Sequence, residues 1–309
     1  MDIAVKCHGL TKTFDGFAAV DHIDLNVGKG IVFGFLGPNG AGKTTTIRML
    51  ACLIRPTSGS ASVWGMDVER DYMSVKKIIG YLPESPGYYP EMTPLEFLRY
   101  FGRLFRVKNL DSVVEEALKK VGLYDERGLE VRSFSLGMRQ RLNIARLLIH
   151  DPKLLFLDEP TSGLDPRGTR EVRDLIRALG EAGKTIFVCT HILPEVEMVC
   201  EEVGIINRGH IVAVDSPEGL RNKVKASNVI EVGVGPGGTR PEDLMTKIKS
   251  ISWAKDVTMK GEGLIAVEVE TLEEKRPELA RRLVQWGAEL LCMNLQEPTL
   301  EDVFMSYTR

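Results

Sequence analysis

A lysine and a pair of threonines close a glycine-rich run, Gly37-Pro38-Asn39-Gly40-Ala41-Gly42-Lys43-Thr44-Thr45, which through Thr44 fits G-x-x-x-x-G-K-[ST]. Glycines at these spacings let the backbone curl until successive N–H groups face one anion. A helix starting at the end of the run adds its positive end. Lys43 would then reach the β- and γ-phosphates of a nucleotide, and the Thr44 hydroxyl would ligate Mg²⁺. Far downstream, the apolar residues 154–157 run into Asp158 and Glu159. A buried strand with that ending delivers Asp158 to a metal shell at its C-terminal edge. Glu159, beside it, can polarise an attacking water. Phosphoryl transfer asks little covalent chemistry of a protein, so positioning and charge neutralisation carry it. The expected bound species are a nucleoside triphosphate and Mg²⁺.

For this chemistry the loop must join a strand to a helix. Residues 31–36 are an apolar run before it, and 44–53 read as a helix after it. Other runs rich in Ile, Val, Phe and Leu, at 154–157, 185–189 and 204–206, read as buried strands of an α/β sheet. Helices are expected at 136–149 and 169–182. Thr93-Pro94-Leu95-Glu96 opens another, with Thr as cap, Pro in the first turn and Glu following.

Near Pro217 the pattern changes. Segments 229–234, 254–260, 263–270 and 289–295 read as strands, and 241–251 and 273–287 as helices. That order is βαββαβ, the ferredoxin-like arrangement of a small α+β domain. Gly261-Glu262-Gly263 marks the hairpin, and 233–241 is a Gly- and Pro-rich loop. A final amphipathic segment, 298–307, sets Leu300, Val303, Phe304 and Tyr307 at helical spacing.

Composition narrows the function classes. At 309 residues the chain is long enough for about two domains of roughly 150 residues each. Hydrophobic residues make up 43% and charged residues 27%, which is globular. A formal net charge of −3 argues against a general affinity for nucleic acid. No apolar run approaches the ~20 residues that span a bilayer, and the N-terminus shows no signal peptide. Cys7, Cys52, Cys189, Cys200 and Cys292 are scattered, and read as buried, reduced thiols of a cytosolic protein.

Ser133-Phe134-Ser135-Leu136-Gly137-Met138-Arg139-Gln140-Arg141 resembles a divergent LSGGQ signature of ATP-binding-cassette (ABC) proteins. Ser135 and Gly137 match its serine and second glycine; Leu136 and Met138 depart from it. Around it lie the phosphate loop, a strand resembling Walker B, Ser162-Gly163-Leu164-Asp165 resembling the D-loop, and His191 resembling the switch histidine, all in family order. The resemblance covers residues 1 to about 220. The ending, 298–304, is similar to that of ATPase subunits in daunorubicin-resistance exporters. The fold class it implies is an α/β phosphate-loop NTPase cassette at 1–219, with a helical subdomain at about 83–150, followed by an α+β domain at 220–309.

The resemblance implies that two cassettes pair head to tail around two ATP molecules. Ser135 and Gly137 would contact the γ-phosphate held by the other subunit, and Asp165 would order the dimer seam. His191 would hold the γ-phosphate; Glu159, His191 and Lys43 form the catalytic set. Phe14 matches the aromatic that stacks on adenine, with Phe17 as competitor. Where the family usually places Gln, this chain has Glu84, which keeps an oxygen for the metal, loses the amide donors and adds charge. The metal set is therefore Thr44, Asp158 and Glu84.

An ATPase subunit of an exporter follows, peripheral on the inner face of the membrane and working on a separate transmembrane permease. Tyr88-Tyr89-Pro90 and residues 95–105 are the candidate docking surface. The alternative is an ABC ATPase of DNA repair or translation with no membrane partner. The C-terminal domain could bind a regulator, bind its twin or brace the dimer.

Overall fold

The computed structural model describes residues 2–223, 228–269, 274–296, 301 and 303–305. The chain forms two compact units that divide between Glu218 and Gly219.

In the first unit, long strands β1 (Ile3–Phe14) and β2 (Phe17–Gly28) make a hairpin, followed by β3 (Val32–Leu36) and α1 (Lys43–Leu50). Next come β4 (Ser58–Val63), β5 (Met66–Asp67), α2 (Tyr72–Ile78) and β6 (Ile79–Leu82). Three helices follow, α3 (Pro94–Leu104), α4 (Leu110–Lys120) and α5 (Leu136–Leu148). The unit continues with β7 (Leu154–Asp158), α6 (Pro166–Glu181), β8 (Thr185–Thr190), α7 (Leu193–Val199), β9 (Glu202–Asn207) and β10 (His210–Asp215).

The sheet order β10-β9-β3-β8-β7-β6 is parallel from β9 to β6, with β10 antiparallel at the edge. A second sheet, β2-β1-β4-β5, is antiparallel. β3, β7 and β8 are buried at every position, as expected of strands covered on both faces. Phe33, Phe35, Phe156 and Phe187 lock the sheet's core, with the Phe33 and Phe187 ring centroids 5.1 Å apart.

Several helix limits differ from the sequence reading, α1 and α6 among them. α1 stops at Leu50, and Cys52 then takes a left-handed φ of 58°. α6 begins at Pro166 and not at 169, because the Asp165 side chain caps it and Pro occupies the first turn. α3 carries the expected capping box between Thr93 and Glu96. The expectation of uniformly buried thiols fails. Cys7, Cys189 and Cys200 are buried, Cys52 is half-buried at its turn, and Cys292 is exposed on a strand; all are free.

The division falls within α8 (Pro217–Lys223), and the second unit continues with β11 (Asn228–Val234), α9 (Pro241–Lys249), β12 (Ala254–Gly261), β13 (Leu264–Val269), α10 (Arg276–Gln285) and β14 (Leu290–Gln296). Its antiparallel sheet runs β12-β13-β11-β14, the ferredoxin-like order. Ile230, Val232, Ile265 and Val267 pack with Leu244, Ile248, Leu279 and Leu283 of the two helices. Of the final amphipathic segment, residues 303–305 are helical and Val303 is buried. Leu300 and Tyr307 lie outside the described residues.

Candidate active site

The loop after β3 needs room that only glycine leaves. A Cβ at Gly37 would stand 2.5 Å from the Ile206 carbonyl, and one at Gly42, where φ is 108°, 2.5 Å from that of Ala19. The loop therefore nests between β9 and β2, and α1 starts directly from it. Lys43 folds back over the loop. Its Nζ donates to the Gly37 carbonyl at 2.7 Å and the Pro38 carbonyl at 3.3 Å, and stands 3.3 Å from Glu159 Oε1. Both members of this ion pair are buried.

β7 and β8 supply the facing groups. Asp158 ends β7, and its Oδ1 accepts a hydrogen bond from Thr44 Oγ1 at 3.2 Å. Asp158 is 1% exposed, and its Oδ2 is buried with no hydrogen-bond partner. Burial pushes its carboxyl above the ordinary aspartate range; the Thr44 bond opposes this, while the charges of Glu159 and Glu84 add to it. A buried, half-partnered carboxylate beside a hydroxyl is a hard-oxygen donor set that fits Mg²⁺.

Glu159 sits at a φ of 48°, a left-handed backbone that costs on the order of 1–3 kcal/mol. Its N–H donates to the Cys189 carbonyl at 2.9 Å, which fixes that conformation against β8. The side chain then meets His191, which follows β8, with Nδ1 2.9 Å from Oε2. A carboxylate only accepts, so the ring nitrogen is the donor in that contact.

Glu159 and His191 line a cavity of about 420 Å³ with Ala19, residues 38–45, Glu84 and Ser162; Asp158 is not part of its lining. Ala19, Ser162 and the exposed Glu84 complete its rim. Phe14 and Phe17 stand opposite each other at the tip of the β1–β2 hairpin, both exposed, and Lys12 Nζ lies 5.0 Å over the Phe14 ring.

Ser135, Gly137 and Asp165 do not line this cavity. Ser135 caps α5, its Oγ accepting from Met138 N–H at 3.2 Å, and is exposed. Asp165 Oδ1 accepts from Gly168 N–H at 2.8 Å. Gly137 is a packing residue as well, since a Cβ there would stand 3.2 Å from the Gly168 Cα on α6. Gln140 was not singled out by sequence. Its buried amide donates to the Pro160 carbonyl at 2.7 Å and so ties α5 to the turn after Glu159. Its position one turn beyond the signature start was the available signal. Among the described residues no group of three or more His, Cys, Asp or Glu is placed to hold a metal, and no helix is long and apolar enough to cross a membrane.

The ABC transporter family model matches residues 20–162, and the model for the C-terminal domain of DrrA1-3-like ATP-binding proteins matches 216–308. The chain is 37% identical over 306 residues to the bacitracin transport ATP-binding protein BcrA of Bacillus licheniformis, covering 99% of this chain and 97% of that one. It is 34% identical to the daunorubicin resistance ATP-binding protein DrrA3 of Streptomyces coeruleorubidus, covering 99% and 96%. Among solved structures it is similar to cbiO1 of Clostridium perfringens, part of the ABC transporter complex cbiONQ, with a TM-score of 0.67, 26% identity and coverage of 72% of this chain and 92% of that one. A dimeric ATP-binding cassette in a post-hydrolysis state with ADP and Pi matches with a TM-score of 0.62 and 25% identity, over 69% of this chain and 98% of that one.

Proposed function

The chain belongs to the ABC transporter family, and from that premise we propose that it drives an exporter whose membrane-spanning permease is a separate polypeptide. It is an ATP-binding, ATP-hydrolysing subunit of that family. The full-length likeness to proteins named for bacitracin transport and daunorubicin resistance supports the export direction.

Residues 37–45 cradle the phosphates, with Lys43 on the β- and γ-phosphates. Thr44, Asp158 and Glu84 present oxygens to Mg²⁺, which when bound neutralises phosphate charge. Glu159 orients and polarises the attacking water. Its contact with His191 holds the carboxylate in one rotamer and turns the other ring nitrogen towards the γ-phosphate position. Either ring of the Phe14–Phe17 pair can take the adenine face.

Ser135, Gly137 and Asp165 act on the nucleotide of a second copy in a head-to-tail dimer. The exposed, capped start of α5 supports this, because its free N–H groups can meet an anion brought from outside the chain. The dimeric arrangement of a similar cassette supports it too. The cassette is taken as 1–219 with its helical subdomain at about 83–150, and 220–309 as a domain that braces the dimer.

Tyr88, Tyr89, Tyr100, Leu104 and Phe105 are large apolar groups left exposed, while Phe97 and Leu98 of the same helix are core. That face suits a permease helix, which would hold the protein on the inner membrane face.

One observation carries the hydrolytic reading: Lys43, Glu159 and His191 join in a single contact chain beside an unpartnered Asp158 oxygen. Glu159→Gln should keep ATP binding, abolish hydrolysis and trap an ATP-bound dimer. Hydrolysis by that variant at the wild-type rate overturns the assignment. Affinity purification of the tagged chain from detergent-solubilised membranes should yield a stoichiometric multi-spanning protein.

A further inference from the structure

We propose that Glu195 is a positioning residue for hydrolysis, which through its hydrogen bond to Thr161 holds the loop bearing His191 in register with Glu159. The inference rests on the hydrolytic roles given above to Glu159 and His191. Thr161 lies two residues beyond Glu159, and Glu195 four beyond His191. Thr161 Oγ1 donates to Glu195 Oε2 at 2.5 Å. The exits of β7 and β8 are therefore tied by two side-chain bridges, Glu159–His191 and Thr161–Glu195.

The second bridge is needed because the segment after His191 has little to hold it. α7 has only seven residues, and its N-cap, Ile192, offers no side-chain cap. A helix that short has little stability of its own and takes its position from tertiary contacts. Val196 supplies one, packed so close to β3 that a Cβ on Gly34 would stand 3.1 Å from its Cγ1. Arg177 supplies another, donating to the Met198 carbonyl at 2.9 Å. The first acts at the middle of the helix and the second towards its far end. At the end next to His191, Ile192 N–H donates to Thr190 Oγ1 at 3.0 Å, a bond within the loop itself. Only the Thr161–Glu195 bridge among these contacts joins the first turn to the segment after β7 that carries Glu159.

Its chemistry is that of a stiff joint. Thr161 is 4% exposed, so water does not compete freely for its hydroxyl. Burial pushes the Glu195 carboxyl up; the Thr161 bond is the largest influence opposing that, and the charges of Arg173 and His191 act in the same direction. A half-buried carboxylate oxygen that lost this donor would turn towards solvent and draw α7 with it. His191 would then leave Glu159, and the water it orients would lose alignment.

The test uses the purified full chain in steady-state ATP titrations with Mg²⁺, comparing Thr161→Val, Glu195→Ala, Glu195→Gln, the Thr161→Val/Glu195→Ala double variant and Glu159→Gln. Thr161→Val and Glu195→Ala should each lower kcat by about 10- to 100-fold with KM for ATP unchanged within about twofold. The double variant should fall no further than the worse single one, since both remove the same bond. Glu195→Gln should recover activity, because its amide oxygen still accepts from Thr161. Wild-type kcat in Thr161→Val and Glu195→Ala, additive losses in the double variant, or a KM that rises as kcat falls overturns the proposal. If Glu195→Ala melts early, the near-isosteric Thr161→Val and the Gln rescue decide. Wild-type hydrolysis by Glu159→Gln would instead remove the reading of Glu159, so the two failures are distinct.

Discussion

Thr44 and Asp158, 114 residues apart in the chain, meet at 3.2 Å through Oγ1 and Oδ1, and leave Asp158 Oδ2 buried without a partner. The contact joins the first turn of α1 to the end of β7. It makes the phosphate loop and the acidic strand one site.

Asp158 makes metal binding sensitive to acid. Its carboxyl titrates above the ordinary aspartate value of 3.8, through burial first and through the charges of Glu159 and Glu84. A protonated carboxyl cannot ligate, so protons compete with Mg²⁺ from a higher pH than an exposed aspartate would allow. Titrations of ATPase rate against Mg²⁺ should show half-saturation rising as pH falls. Glu84→Gln removes one raising charge and should shift that dependence to lower pH, and Glu84→Ala should also weaken metal dependence. If both variants match the wild type in rate and Mg²⁺ response, Glu84 has no part in the metal site.

Gly137 separates packing from recognition. An alanine methyl would press at 3.2 Å on the Gly168 Cα, which is backbone and cannot turn aside. Gly137→Ala should cost about 1–3 kcal/mol by urea unfolding, as overpacking does. Gly168→Ala adds a second fault, since its methyl would stand 2.7 Å from Asp165 Oδ1 and disturb the cap of α6. It should be the less stable of the two. Equal stability of both variants with the wild type would mean that α5 and α6 can part without penalty.

His150 gives stability a pH signature away from the active site. Its ring stacks on Phe105 at 4.3 Å, its Nε2 meets the Ile79 carbonyl at 2.9 Å, and its Nδ1 is buried without a partner. Burial lowers its pKa below the ordinary 6.5. The unfolded chain therefore binds the extra proton first, so this contribution is complete above 6.5 and is lost as pH falls from there through the lower folded value. Melting temperatures of the wild type and His150→Asn, taken at about pH 7.5 and 5.5, should show the larger acid-induced fall in the wild type. An equal fall in both would assign the loss to other groups.

The parts legible in the sequence are those whose signal is local. Gly37, Gly42 and Lys43 announce the loop because backbone curl and phosphate charge dictate their types. Thr93, Pro94 and Glu96 announce α3, and the alternation of strands and helices after Pro217 announces the ferredoxin-like sheet. The start of α6 is also written locally, in Asp165-Pro166, but apolar spacing read alone misses it. What stays hidden depends on helix crossings and strand neighbours. Gly137 against Gly168, Gln140 on Pro160 and the left-handed Glu159 all require knowing which elements touch.

The sheet order also sets how the charges meet. β8 lies between β3 and β7, so the loop carrying Lys43 and the strand carrying Glu159 are two strand spacings apart, about 10 Å. The loop overhangs β8 so far that even two short side chains, Thr44 and Asp158, meet across it at 3.2 Å, as Lys43 Nζ and Glu159 Oε1 do at 3.3 Å. The interposed strand therefore sets the order of the two charged runs without insulating them, and the overhang of the loop brings their charges together as much as the sheet does.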